Sequence, residues 1–165
     1  MTGRLVGVRG LRGALRAGAV VFAAALALPL MSTGAGAQVD ALGARLVQGR
    51  WNTTVLPNGK PPSEVVLVFR RDHRIEMYGP IGTDGEPVYV GTGSWVRTSP
   101  RTFSFDLQHP LPDGSGGVIG TLRGHQEGQL SAFRFSSSGE SFVDKPDGTT
   151  VGPNPVTMTG VRARR

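Results

Sequence analysis

A chain of 165 residues with 18 basic and 12 acidic side chains and no cysteine is long enough for one domain that is stable without disulfides. The missing thiols exclude cysteine nucleophiles, thiolate-bound zinc and iron–sulfur ligation. The formal charge of +6 suggests a polyanionic partner until it is located. Arg4, Arg9, Arg12 and Arg16 fall in the first 37 residues, and Arg162, Arg164 and Arg165 form the C-terminal tail. The chain between them is close to neutral and carries no basic stripe, which argues against nucleic acid as a partner.

Residues 1–37 read as a secretory signal peptide. The four arginines stand with no acidic residue, an apolar run follows from Ala19 to Met31, and Ala35-Gly36-Ala37 supplies the small residues of a cleavage site after Ala37. The run is shorter than the roughly 20 residues of a spanning helix and is broken by Pro29, so no stable membrane insertion is expected after cleavage. No Arg-Arg pair precedes it, which favours the general export route over the twin-arginine one, and no cysteine is present to carry a lipid. The expected address is extracellular, periplasmic or cell-envelope, with the oligomeric state left open.

The segment 38–48 has Leu42 and Leu46 at helical spacing and predicts a short helical or linker piece. From Gly49 to Arg165 the period becomes two. Strands are expected at Glu64 to Arg71, Arg74 to Gly79, Tyr89 to Arg97, Arg101 to Gln108, Gly117 to Gly124, Leu130 to Ser136, Glu140 to Asp144 and Pro155 to Arg162. Asn58-Gly59, Asp84-Gly85, Asp113-Gly114 and Asp147-Gly148 are turn dipeptides. Thr102 to Leu107 alternates most cleanly, with Phe103, Phe105 and Leu107 on a dry face and Thr102, Ser104 and Asp106 on a wet one. About eight or nine short strands without a long helix predict an all-β fold, an antiparallel up-and-down barrel, with a β-sandwich as the alternative.

Gly49-Arg50-Trp51 enters the first strand behind a short helical piece, and an up-and-down hairpin series follows. In this the chain resembles lipocalin-like (calycin) barrels. The resemblance implies that Trp51 closes the base of the barrel and that a basic side chain late in the chain, Arg162, packs across it. A second Gly-x-Trp, Gly93-Ser94-Trp95, echoes the first and reads as another tryptophan filling the same core.

On the barrel reading, Trp51, Phe69, Met77, Tyr89, Trp95, Phe103, Phe105, Phe133 and Phe135 line the interior and are the candidate ligand-binding residues. An eight-stranded barrel is wide enough to be filled by side chains or to hold one small ligand. His73, His109 and His125 show no ligand spacing and read as solvated loop histidines, so no metal and no cofactor is expected. Asp106, Tyr78 and Tyr89 are the residues available for acid–base chemistry, although parity puts Asp106 on the wet face. No Gly-x-Ser-x-Gly elbow is present. Three functions remain open: an exported, non-enzymatic barrel binding a small apolar or amphipathic molecule; a barrel cyclase or isomerase acting on an apolar substrate; and a structural or interaction module of the cell envelope.

Overall fold

The computed structural model describes residues 46–164; the leader and the segment from Gln38 to Arg45 lie outside them. Eight strands follow in chain order: β1 (Gly49–Pro57), β2 (Ser63–Phe69), β3 (Arg74–Tyr78), β4 (Val90–Arg97), β5 (Thr102–Pro112), β6 (Val118–Ser131), β7 (Arg134–Asp144) and β8 (Thr150–Arg162). Each pairs antiparallel with the next, and β1 pairs with β8, so the sheet is a closed barrel with no free edge. The sandwich alternative is excluded by that last ladder.

Alternation decides what fills the barrel. Trp51, Thr53 and Val55 on β1, Val65, Leu67 and Phe69 on β2, and Phe103, Phe105 and Leu107 on β5 are buried, while intervening residues are more exposed. The outer wall is rich in Arg, Glu, Thr and Ser, the inverse of a barrel that faces lipid. The strands define two ends. Short turns at 70–73, 98–101 and 132–133 and both termini of the described chain form the base; the loops at 58–62, 79–89, 113–117 and 145–149 form the mouth.

Two expectations are corrected. Leu130 to Ser136 is a hairpin rather than a strand: β6 runs on to Ser131, which pairs with Arg134, and Ala132 takes a φ of 51° to reverse the chain. Ser-Ala-Phe-Arg carries none of the Gly or Asn that normally signals such a turn. As a result Phe133 is the turn tip and 72% exposed, not an interior residue. The four Gly-containing turn dipeptides do reverse the chain, with Gly59, Gly85, Gly114 and Gly148 at φ between 70° and 85°.

The base is plugged by aromatic rings. Phe69 stands edge-on to Trp95, Phe103, Phe105 and Phe135, with centroids 5.5–6.3 Å apart, and Trp51 meets Phe135 at 5.3 Å. Both indoles are satisfied: Trp51 donates to the Val47 carbonyl at 2.8 Å and Trp95 to the Arg70 carbonyl at 2.9 Å. The Arg162 guanidinium lies 4.4 Å from the Trp51 ring centre and donates to the Gln48 carbonyl at 2.7 Å and to the Leu46 carbonyl. Gly49 makes room for it. Its φ is 122°, and a Cβ there would stand 2.8 Å from Arg162 Nη1.

Arg162→Ala is expected to lower the unfolding free energy by about 2 kcal/mol, through the lost cation–π contact and charged hydrogen bonds. Urea unfolding measures this, and a change under about 0.5 kcal/mol would show that the latch contributes little. Gly160→Ala should cost a similar amount, because its Cβ would overlap the Phe135 ring.

Candidate functional site

The interior changes character halfway along the barrel. Toward the base the interior is filled by Trp and Phe rings; toward the mouth aliphatic side chains replace the rings, and Gly124 on β6, Ser141 on β7 and Val156 on β8 are small. The space these leave is a cavity of about 310 Å³, at the small end of ligand sites. Its wall is largely aliphatic, from Met77, Leu107, Leu122, Val143, Val156 and Met158, and Phe105 caps the aromatic plug beneath it.

Several polar groups enter this wall. Gln126 is 2% exposed and fully engaged in the sheet: its Oε1 accepts from Ser137 Oγ at 2.9 Å and its Nε2 donates to the Val156 carbonyl at 3.3 Å. Ser141 Oγ donates to the Asn154 carbonyl at 3.4 Å. His109 and Tyr89 are stacked, with ring centres 4.1 Å apart and planes 9° from parallel. Tyr89 reaches this position from the long β3–β4 connection, which Gly79 and Tyr89 close with a backbone hydrogen bond of 2.9 Å. A Cβ on Gly79 would stand 2.8 Å from the Tyr89 ring, so the ring can pack there because residue 79 lacks a side chain.

His109 Nδ1 lies 2.7 Å from the Pro110 carbonyl. A carbonyl only accepts, so the hydrogen is on Nδ1 and the neutral ring presents Nε2 as an acceptor. Nε2 has no partner of its own among the described residues, and no polar side-chain atom there is sealed away unpartnered. It is therefore open to the cavity or its mouth. Burial lowers the His109 pKa, opposed by the bond to Pro110, and burial raises that of the Tyr89 phenol.

The other sequence candidates fall in three places. Trp51, Phe69, Trp95, Phe103 and Phe135 form the plug; Met77, Phe105 and Tyr89 border the cavity; Phe133 is outside at the base. Tyr78 and Asp106 face outward, where Tyr78 donates to Glu76 at 2.7 Å and Asp106 pairs with His125 Nδ1 at 2.8 Å. The histidines separate as well. His73 sits in the β2–β3 turn with φ 65°, its ring against Trp95, and His125 is on the outer wall. His109, read from sequence as a solvated loop residue, is 6% exposed on β5. The signal for it was present, since Phe103, Phe105 and Leu107 continue in parity to His109. Pro110 concealed it by suggesting the end of the strand. Pairing of β5 with β4 stops at Gln108, so Pro110 sits where one side of the strand is already an edge, which proline tolerates.

No protein-family model matches the chain, and no curated protein matches it. Among solved structures, a redesigned β-barrel, b11L5F_LGL, aligns with a TM-score of 0.53 at 22% identity, covering 74% of this chain and 96% of that one. EF1p2_mFAP2b bound to DFHBI aligns with a TM-score of 0.57 at 21% identity, covering 75% and 99%. At such identities the likeness establishes the barrel fold.

Because burial depresses the His109 pKa below the ordinary 6.5, the unfolded chain takes up a proton there before the folded one does. Stability present above that pH is lost as pH falls through the lowered folded value. The urea midpoint should therefore decline as pH falls below the ordinary histidine value of 6.5, and decline less in His109→Gln. Equal slopes in both chains would place the acid sensitivity elsewhere.

Proposed function

We propose that this chain is an exported, lipocalin-like barrel that binds one small, mainly apolar molecule in the mouth half of its interior. The ligand carries a hydrogen-bond donor that meets His109 Nε2. The observation that carries this reading is the cavity of about 310 Å³, aliphatic on most of its wall and holding an open acceptor and the Tyr89 phenol at one side. Apolar surface supplies affinity in such a site, and the few polar groups fix orientation. A barrel of this fold is bound to the small molecule DFHBI, which makes DFHBI a reasonable first probe.

Export rests on the residues of the leader. The lipocalin-like assignment rests on Gly49-Arg50-Trp51 together with Arg162 lying across the Trp51 ring. The isomerase alternative retains Tyr89 alone of its three acid–base candidates, since Asp106 and Tyr78 are on the outer wall. A neutral His109 stacked on a protonated Tyr89 suits recognition of a donor better than abstraction of a proton.

Native mass spectrometry of the protein purified from its producing organism should reveal a retained small molecule. In calorimetry, the ligand, or DFHBI as surrogate, should bind about tenfold more weakly to His109→Phe, the loss of one hydrogen bond. Ser141→Phe, which directs a ring into the cavity, should abolish binding while leaving a cooperative melt. A bare protein whose melting temperature responds to no member of a small-molecule panel would overturn the reading.

A further inference from the structure

The base of the barrel gathers charge that the sequence keeps apart. Arg50 on β1, Arg71 in the β2–β3 turn, Arg101 in the β4–β5 turn, Arg134 on β7 and Arg164 beyond β8 are all at this end and all exposed. None forms an ion pair with another described residue. By contrast Arg70, Arg74 and Arg123 are matched with Glu76, Asp72 and Asp144. The mouth has the opposite bias, with Asp84, Glu86, Asp113 and Asp147 on its loops against Lys60 and Lys145.

Apolar side chains accompany the arginines. Phe133, at the tip of the β6–β7 turn, is 72% exposed, and Leu46 and Val161 are about half exposed. Arg134 follows Phe133 directly and pairs with Val161 across the β7–β8 ladder. Arg101 is at the same corner, where its carbonyl accepts from the Leu130 amide at 2.7 Å. An aromatic tip among unpaired guanidinium groups matches the boundary of an anionic bilayer, where phosphates take the arginines and the acyl region takes the ring. Nucleic acid fits less well. The arginines surround the end of a barrel rather than follow a groove, and Leu46 and Val161 offer no flat face for a base.

We infer that the base docks on an anionic phospholipid bilayer, with Arg50, Arg101, Arg134 and Arg164 among the headgroups and Phe133 inserted at their inner boundary. The inference is independent of what the cavity holds.

The test uses the full chain carrying Phe133→Trp. Trp51 and Trp95 are 0% and 1% exposed, so brominated acyl chains reach only the introduced indole. With vesicles of phosphatidylglycerol and brominated phosphatidylcholine its fluorescence is quenched; with brominated phosphatidylcholine alone it is not. Adding Arg101→Gln, Arg134→Gln and Arg164→Gln weakens partitioning on the order of a hundredfold, whereas Lys60→Gln with Lys145→Gln leaves it unchanged. The leader is common to every chain compared, so its own lipid affinity does not separate them, and a melting curve for each variant confirms folding. Absence of quenching on anionic vesicles, equal quenching on neutral ones, or an unaltered triple variant overturns the proposal. Tighter binding of the parent chain to duplex DNA than to the vesicles overturns it in favour of nucleic acid.

Discussion

Pairing of β1 with β8 joins the two ends of the described chain, and the rest of the molecule follows from that closure. Without it the sheet has two edges, no defined inside, and no reason for one side-chain parity to be dry. The seam is reinforced where it meets the base, by the Arg162 guanidinium bonding to the Gln48 carbonyl across 114 residues of sequence. Contacts of such separation form after most of the chain has lost its freedom, so a barrel closed in this way belongs among slowly folding topologies. The latch also joins two otherwise separate requirements: a glycine with positive φ at residue 49 and a tryptophan two residues later.

Closure gives an interior, and side-chain volume decides how it is used. Around Phe69 the rings are packed edge to face at ordinary aromatic distances, so the base behaves as a filled core. Beyond Phe105 the same inward parity delivers aliphatic side chains with the small Gly124 and Ser141 among them in place of rings, and the wall does not meet in the middle. The division is therefore written in residue size along each strand rather than in any change of backbone. Solidity at one end is what allows space at the other, because the plug holds the cylinder open.

Much of the fold was legible from alternation and turn chemistry. The Phe103-Phe105-Leu107 parity and the Gly-containing turns needed only local rules. Phe133 was misread because Phe133 and Phe135 also alternate; the reversal between them depends on Ala132 entering the left-handed region without a glycine to announce it. The cavity was less legible still. A list of aromatic residues locates a plug, whereas a cavity is defined by the small residues opposite, and Gly124 or Ser141 carries no functional signal by itself. His109 was hidden by the proline that follows it. The arginines of the base come from five separate segments, and only the barrel's topology brings them to one end.

Arginines at one end and carboxylates at the other make the barrel an electrical dipole lying along its own strands. As the molecule approaches any charged body to within a screening length of about 10 Å, the torque on that dipole turns it before a side chain touches. Orientation on landing is thus decided by the field rather than by contact, and one end of the cylinder habitually arrives first. On the proposed docking the mouth, carried on the far ends of the same strands, faces away from the anionic surface and toward the water.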